Sequence, residues 1–487
     1  MYNAVEGLNP EPVWRYFSEI SRIPRGSKNE AAIVKYVLDT ARKLGLEARA
    51  DAVGNVIARK PASFPAGRTQ RPVALQGHLD MVCEKNRNTK HDFLKDPIKL
   101  VRKDDFLTAD GTTLGADNGI AVAVNLAIME DNAIQHGPLE LLFTVDEETG
   151  LTGAAGLTPD FLESRTLINL DSEEEGVLYT GCAGGKDIVG TWTLPRVEAP
   201  ENYIAARIEV AGLRGGHSGM DIDKGRGNAI KIMNRALRAL TDAVGARLAD
   251  IDGGDKHNAI PRECEALMWI APEKIGDAER IIENLCSAVK AEFGAADSDI
   301  AITLTLVDTN EKRRVVEVSD QEKLIRTITA LPYGVIKMSA DIAGLVETST
   351  NPAVIKMEGD KVKIVTFQRS AYSMELEKIS EAVAAAFESG GAAVESSESY
   401  PGWAPNPNSR ILEIARSAFR SLFGGLPKVT AIHAGLECGV IGEKIPGMDM
   451  ISFGPTIMGV HSPDERLYIE PVERFWNFLL EILKRID

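Results

Sequence analysis

The stretch VALQGHLDMV at residues 73–82 joins a short apolar run to polar residues that follow it directly. The same arrangement recurs where LELLFTV ends before Asp146, where TLINL ends before Asp171 and where MISF ends before Gly454. Between the first two runs, GIAVAVNLAIME at 119–130 has the composition of a helix. Short apolar strands that alternate with helices predict an α/β fold, a mostly parallel sheet with helices on both faces.

The pattern changes after about residue 185, where strands and helices follow one another in an order that occurs twice before residue 400. We interpret residues 187–399 as an inserted two-lobed α+β lid domain, which would bind substrate and could form a dimer contact. The Pro- and Asn-rich segment PGWAPNPNS then leads back to the first pattern. Residues 1–186 and 400–487 are therefore predicted to form one catalytic domain.

The bulk composition excludes several classes of partner. The chain of 487 residues carries 71 acidic and 55 basic residues, a net charge of −16. Such a surface repels nucleic acid and anionic lipid, so neither is an expected partner. We expect neither a membrane span nor a secretory signal, because no run of about 18 apolar residues occurs and the first residues lack a basic region followed by an apolar one. The five scattered cysteines indicate reduced thiols and a cytoplasmic location.

Polar residues follow the predicted strands at the points where ligands bind in open parallel sheets. A single histidine or acidic pair in such a loop is usually structural, but several strands that each end in a metal-type ligand are not explained by chance. Imidazoles with carboxylates and no thiolate suit zinc or another borderline divalent ion, and one bridging acid would allow two metals. The tandem Glu147-Glu148 could supply both a general base and a ligand. The candidates are His78, Asp80, Asp117, Glu147, Glu148, Asp171 and His461.

Five motifs carry a resemblance to a known family. They are GHLDMV at 77–82, LGADNGI at 114–120, TVDEETG at 144–150, INLDSE at 168–173 and MGVHSP at 458–463. Together they resemble the di-zinc metallopeptidases of the aminoacylase and carboxypeptidase type. Within that group, the chain as a whole is most similar to the aminoacyl-histidine dipeptidases, also called peptidase D or cytosol non-specific dipeptidases.

The resemblance implies a role for each candidate. Two Zn²⁺ ions, for which Mn²⁺ or Co²⁺ could substitute, would be bridged by Asp117, with His78 and Asp171 completing one site and Glu148 and His461 the other. Glu147 would be the general base. Asp80 would orient the His78 ring, and its spacing agrees, because residues i and i+2 of an extended segment share a face. The resemblance also implies a cis peptide bond between Asp117 and Asn118.

The predicted lid domain offers further candidates. In similar enzymes a histidine such as His217, in GLRGGHSGMDI at 212–222, donates a hydrogen bond to the oxyanion. Arg369 could bind the free carboxylate of a dipeptide with two parallel hydrogen bonds. Asn258 lies in HNAIPRE at 257–263 as another substrate-binding candidate. His433 and Glu437, in AIHAGLECG at 431–439, could lie near the other end of the substrate, where a carboxylate would pair with a free amino terminus.

The expected reaction is metal-dependent hydrolysis of unblocked dipeptides, of the Xaa-His type including β-alanyl-histidine, by a water between the metals with Glu147 as general base. A tripeptide aminopeptidase, an N-acyl amino acid deacylase or a carboxypeptidase could use the same metal site. A non-catalytic peptide-binding protein would have no need of Glu147. Small peptides are the expected ligands, and similar lid domains occur in both monomers and homodimers.

Overall fold

The computed structural model describes residues 4–64, 71–308, 313–397 and 399–486. The chain divides into two compact units. Unit 1 comprises Met1–Cys182, Trp403–Ala431 and Leu436–Asp487, and unit 2 comprises Ala183–Gly402 and Ile432–Gly435. In the part of the chain that is described, no helix is both long and apolar enough to cross a membrane.

The secondary structure alternates between helices and strands over most of the chain. The helices are α1 (Glu11–Ile20), α2 (Ala31–Lys43), α3 (Ala116–Glu130), α4 (Thr152–Gly156), α5 (Ala229–Val244), α6 (Ile275–Phe293), α7 (Val318–Ala330), α8 (Ser373–Ser389), α9 (Arg410–Phe423), α10 (Glu437–Lys444) and α11 (Ile469–Arg485). A short 3-10 helix, Pro272–Lys274, precedes α6.

The strands in the first part of the chain are β1 (Glu47–Ala50), β2 (Val56–Lys60), β3 (Val73–His78), β4 (Leu100–Lys103), β5 (Phe106–Ala109), β6 (Leu139–Thr144), β7 (Thr166–Asn169), β8 (Val177–Cys182), β9 (Gly184–Thr193), β10 (Arg196–Glu198), β11 (Ile204–Ala211) and β12 (Gly216–His217). Those that follow are β13 (Arg247–Gly253), β14 (Ala259–Ile260), β15 (Cys264–Ile270), β16 (Ala301–Val307), β17 (Arg314–Val316), β18 (Gly334–Met338), β19 (Val346–Glu358), β20 (Lys361–Ser370), β21 (Ala393–Ser396), β22 (Lys428–Ile432), β23 (Asp449–Ser452), β24 (Ile457–Met458) and β25 (Arg466–Tyr468).

Unit 1 is built on a sheet of strand order β1-β2-β6-β3-β7-β23-β8-β22. The centre, β6-β3-β7-β23, is parallel, whereas β1, β2 and β8 pair in the antiparallel sense. Strands β3 and β6 are buried at every position, as expected where both faces of a parallel sheet are covered. The predicted α/β fold class is therefore confirmed.

The helices of unit 1 follow from their apolar patterns. Helix α3 is buried over nearly its whole length, because small and aliphatic residues occupy every side of it. Helix α11 instead buries one stripe, in which Val472, Phe475, Leu479 and Ile482 recur at helical spacing. Both belong to one hydrophobic core with the central strands, and this core holds the ends of those strands in place.

Unit 2 contains an antiparallel sheet of order β16-β11-β15-β13-β19-β20-β9-β21, with β18 added beside β19. The two halves of the sequence repeat meet where β13 pairs with β19, at Asp252↔Lys356 and Gly253↔Ile355. The two predicted lobes thus share one sheet, and helices α5, α6, α7 and α8 contribute to a common core with it.

Candidate active site

The polar residues at the strand ends of unit 1 come together at one edge of the parallel sheet. His78 is the last residue of β3, Glu147 and Glu148 lie in the loop after β6, and Asp171 follows β7 by two residues. Asp117 lies in the first turn of α3. The carboxyl ends of parallel strands share an edge, so residues distant in sequence converge there.

His461 reaches this edge from a small second sheet. It lies between β24 and β25, and β25 pairs with β5 through Leu467↔Leu107. His461 has a left-handed φ of 59°, and Asp146, just before Glu147, has a φ of 50°. Non-glycine residues with such φ values are uncommon and occur often at functional sites.

Asp117 lies between two groups of side chains. Its Oδ1 is 3.2 Å from His78 Nε2, which is also 3.4 Å from Asp171 Oδ1. Its Oδ2 is 3.1 Å from His461 Nε2, which is also 3.1 Å from Glu148 Oε2. In each group the potential ligand atoms lie within 4.8 Å of one another. The peptide bond between Asp117 and Asn118 is cis, as expected.

The chemistry of these donors fits two divalent ions. Two imidazoles and three carboxylates, with Asp117 shared, match the ligands that zinc and similar ions prefer. Glu148 Oε1 is buried and has no hydrogen-bond partner among the described residues. A buried carboxylate oxygen without a partner destabilises the folded protein, and a bound cation would offset this loss of stability.

Asp80 links His78 to the loop that carries Glu147. Its Oδ1 lies 3.3 Å from His78 Nδ1, and its carboxylate accepts the backbone N–H groups of Glu147 and Glu148 and the Ser27 hydroxyl. Burial would raise the pKa of Asp80, but the His78 ring and the Glu147 N–H outweigh it and lower the pKa to about 2. An ionised Asp80 therefore lies beside the His78 ring and holds the loop through two backbone N–H groups, and its role in orienting the ring stays a prediction.

Glu147 has the environment of a proton acceptor. Burial raises the pKa of its carboxyl well above the usual value; His78 opposes this rise and Asp171 adds to it. One of its carboxylate oxygens lies within 4.8 Å of a ring nitrogen of His78 and of a carboxylate oxygen of Glu148. A carboxylate with a raised pKa beside a metal-type cluster is suited to general base catalysis.

A second polar cluster lies within unit 2, around His217. Its Nδ1 accepts the backbone N–H groups of Gly219 and Met220 at 3.3 and 3.0 Å, which assigns the ring hydrogen to Nε2. His217 Nε2 lies 3.1 Å from Arg369 Nη2, which is also a donor. Burial and the charge of Arg369 lower the pKa of His217 to about 4. Two donors this close to each other are unfavourable unless an acceptor bonds to both.

Arg369 is only 3% exposed, on β20. Its guanidinium lies 4.4 Å from the Phe367 ring centre and donates to Tyr400 Oη at 3.0 Å. Within the described ranges, no carboxylate lies within ion-pair distance of Arg369. Burial lowers the pKa of this guanidinium, which indicates that its charge is poorly compensated.

The remaining substrate-binding candidates occupy different environments. His433 belongs to unit 2 and lies with its Nε2 2.7 Å from Ser349 Oγ. Asn258 is exposed, and its backbone carbonyl accepts the N–H of Ser218, next to His217. Ser349 is paired with Arg369 between β19 and β20, so His433 and Asn258 both lie close to the cluster around His217.

Glu437 belongs to unit 1, separate from His433 although only four residues away. Its side chain is fully buried, and Oε2 accepts hydrogen bonds from Gln76 at 2.6 Å and from Thr144 at 2.7 Å. Burial raises the pKa of Glu437 to about 7. Its Oε1 has no hydrogen-bond partner among the described residues, and the contact with a substrate amino terminus stays a prediction.

Sequence reasoning missed two buried charged residues near Asp117. Glu465 follows His461 by four residues, and Arg25 lies in the N-terminal segment SRIPRGSKNE. Glu465 accepts backbone hydrogen bonds from the Asp117 loop, and Arg25 donates to the carbonyl of Gly115. Neither residue follows an apolar strand, so the pattern that identified the other candidates did not include them.

The sheet-edge cluster on this α/β fold has the donor set of a two-metal hydrolase. The chain belongs to peptidase family M20/M25/M40, whose profile matches residues 74–485, and it is therefore a hydrolase that acts on peptide bonds. This confirms the family resemblance of the five motifs.

Individual relatives agree over nearly the whole chain. The sequence is 41% identical over 480 residues, 98% of each chain, to the cytosol non-specific dipeptidase of Escherichia coli (strain K12). The structure is similar to that of the aminoacylhistidine dipeptidase from Vibrio alginolyticus, with a TM-score of 0.89, 40% identity and coverage of 99% of this chain and 98% of that one. A tripeptidase from Staphylococcus aureus shares the fold at 17% identity and a TM-score of 0.57, with coverage of 98% and 99%.

Proposed function

We propose that this protein is a dipeptidase that hydrolyses unblocked dipeptides, including Xaa-His substrates such as β-alanyl-histidine, with two divalent ions. Zinc is the proposed ion, and manganese or cobalt could replace it. The observation that carries the proposal is the position of Asp117 between the groups of His78 and His461. The names of the two relatives at about 40% identity support the dipeptide substrate.

In this proposal, unit 1 carries out hydrolysis. The two ions, when bound, supply a Lewis acid for the carbonyl and lower the pKa of a nucleophilic water. Glu147 takes a proton from the attacking water and later gives it to the leaving amine, so that one carboxylate acts first as base and then as acid. Asp80 holds the His78 ring in the orientation for ligation.

We assign recognition of the substrate to unit 2, which contains the predicted lid domain of residues 187–399. Arg369 would bind the free carboxylate, because it is a buried cation with no carboxylate partner among the described residues. His217 would donate its Nε2 hydrogen to the oxyanion, since its low pKa keeps the ring neutral. A negatively charged oxygen near these groups would also relieve the contact between the two donors.

His433 and Asn258 support this cluster in the proposal. His433 would remain neutral, because burial and the charge of Arg369 lower its pKa to about 3. His433 would thus add a polar side chain to the cluster, in which Arg369 already carries a positive charge, without adding a second one. The Asn258 carbonyl holds the backbone beside His217, and its exposed side chain could contact the substrate.

A substrate panel tests the proposed activity. β-Alanyl-histidine, several α-dipeptides, a tripeptide series and acetylated amino acids would be assayed with Zn²⁺, Mn²⁺ and Co²⁺. We expect the highest kcat/KM for unblocked dipeptides. Faster cleavage of tripeptides would favour a tripeptide aminopeptidase, preference for acetylated substrates a deacylase, and release of residues from longer peptides a carboxypeptidase. Binding of peptides with no hydrolysis under any metal would indicate a binding protein.

We also propose a cytoplasmic location, consistent with the scattered cysteines, all of which are free in the structure. The homodimer remains a prediction that sedimentation velocity would test.

A further inference from the structure

A buried carboxylate, Glu465, holds the backbone of the loop that carries Asp117. Its Oε2 accepts the N–H groups of Leu114 and Gly115 at 2.7 and 2.9 Å. Its Oε1 accepts those of Ala116 and Asp117 at 2.7 and 3.2 Å. Four consecutive backbone donors are thereby satisfied by one side chain that is 2% exposed. Hydrogen bonds to a charged acceptor of this kind are among the stronger ones in proteins.

Arg25 holds the carbonyl side of the same region. Its Nη2 donates to the Gly115 carbonyl at 2.5 Å, and its Nη1 donates to the carbonyls of Leu79 and Asp80, both at 2.9 Å. The side chain is 2% exposed. Arg25 therefore connects the Asp117 loop to the segment that directly follows His78. Burial lowers the pKa of this guanidinium, and the charge of Glu465 is the largest of those that oppose the change.

Two glycines of LGADNG allow this close approach. A Cβ on Gly115 or on Gly119 would lie 2.6 Å from Arg25 Nη2, which is too short for a carbon–nitrogen contact. Gly115 also has a φ of 69°, in the left-handed region where other residues are strained. The glycines of this motif thus make room for a guanidinium that no apolar pattern in the sequence indicates.

These contacts join the three segments that carry His78, Asp117 and His461. Glu465 is four residues beyond His461, and Thr108 Oγ1 donates to its backbone carbonyl at 2.7 Å. Strand β25, which begins one residue later, pairs with β5. In the described part of the chain, the hydrogen bonds of Arg25 and Glu465 with the segments of His78 and Asp117 go to backbone groups.

We propose that Arg25 and Glu465, here called the Arg25–Glu465 clamp, are positioning residues that preform the pair of metal sites sharing Asp117. The proposal rests on the metal-dependent function above. The expected effect is on the ions rather than on folding alone. If the Asp117 loop shifts, one carboxylate cannot serve two ions at once, so the second ion should bind more weakly than the first.

Glu465→Gln is the most conservative test, because it keeps the shape and replaces one acceptor oxygen by an NH₂ group that faces two N–H donors. Metal-free protein would be titrated with Zn²⁺ against a competing chelator, with the stoichiometry measured by native mass spectrometry. We expect wild type to bind two ions and Glu465→Gln to bind the second at least tenfold more weakly. In the Mn²⁺-loaded protein, the exchange coupling seen by electron paramagnetic resonance should weaken or disappear.

Glu140 provides a matched control. It is also a 2% exposed carboxylate of unit 1, and it accepts the N–H groups of Glu163 and Ser164, but it lies at the start of β6, the opposite end from Glu147. Glu140→Gln should lower thermal stability and leave both metal affinities unchanged. For Arg25→Met the control is Lys60→Met, because Lys60 also donates to buried carbonyls, those of Ile128 and Met129.

The possible outcomes distinguish failure of the clamp proposal from failure of the proposed two-metal site. If wild type fails to bind two ions, both proposals fall. If wild type binds two and both Glu465→Gln and Arg25→Met bind two with unchanged affinity, the clamp alone is overturned. An equal loss of affinity for the second ion in Glu140→Gln would also overturn the clamp proposal, since the loss would then result from lower stability in general. Should Glu465→Gln not fold, Arg25→Lys decides, because it keeps the charge and loses the fork that contacts three carbonyls.

Discussion

Replacing Arg369 by methionine tests how the substrate carboxylate is bound. Methionine keeps much of the apolar volume that packs on Phe367 and removes the charge and all five donors. Arg369 is 3% exposed, and its charge has no carboxylate partner within the described ranges, so an anionic ligand would supply the missing counter-charge. The change therefore removes a ligand contact without breaking an internal ion pair.

The size of the effect follows from the hydrogen bonds that would be lost. A hydrogen bond to a charged group contributes about 1.5–3 kcal/mol, and an Arg–carboxylate pair commonly forms two. A loss of about 3 kcal/mol corresponds to roughly a hundredfold decrease in kcat/KM. The metal-free protein should not lose stability to the same extent, because a buried, poorly compensated cation is itself destabilising.

The assay compares a dipeptide with its C-terminal amide, in wild type and in Arg369→Met. Wild type should prefer the free carboxylate by roughly a hundredfold, and the variant should show little preference, since the amide has no charge to lose. The preference of Arg369→Lys for the free carboxylate should be intermediate between those of wild type and Arg369→Met. Arg247→Met is a control in the same unit, because Arg247 donates to the Val316 carbonyl and should affect only stability. An equal loss on both substrates in Arg369→Met would refute the reasoning.

Further predictions concern the metal site and pH. Glu147→Gln should lower kcat by about 10²–10⁴ with metal content unchanged, whereas Glu148→Ala should deplete one ion; equal metal loss in both, by elemental analysis, would contradict the assigned roles. Chelation should abolish hydrolysis and added Zn²⁺ should restore it, and activity that persists in metal-free protein would argue against the mechanism. The pKa of His433 is lowered from 6.5 to about 3 in the folded protein. As the pH drops below 6.5, this histidine is therefore protonated in the unfolded chain but not in the folded one, and the free energy of unfolding decreases. In urea unfolding of the metal-free protein, the free energy of unfolding should decrease by about 2 kcal/mol between pH 6.5 and 5 because of this group. The His433→Gln variant should not show this decrease, and the same pH dependence in both proteins would disprove the prediction.

The sequence predicted the parallel sheet because its central strands are short apolar runs that end in polar residues. It also predicted that His78, Glu148 and Asp171 would meet, because the carboxyl ends of parallel strands share one edge. Residue types alone left the roles of these side chains open, and the family resemblance supplied them. The change in element order predicted an inserted domain, but the sheet that both predicted lobes share depends on the pairing of β13 with β19.

Other features depended on contacts that no local pattern indicates. His433 and Glu437 are neighbours in AIHAGLECG, yet Glu437 bonds to Gln76 and Thr144 within the sheet of unit 1, whereas His433 bonds to Ser349 in unit 2. A fully buried glutamate and an exposed one look alike in a sequence, because burial depends on distant segments.

The sequence by itself indicated the sheet and the candidate residues at its strand ends, since these follow from hydrophobic periodicity and from position relative to strand ends. The family resemblance added the role of the motif that contains Asp117. Only the tertiary structure decided which charged residues hold that motif. Glu465 is separated from Asp117 by 348 residues, and Arg25 from Gly115 by 90. Such pairs form because a buried charge requires a partner wherever the fold supplies one, and the separation along the chain carries no information about that partner.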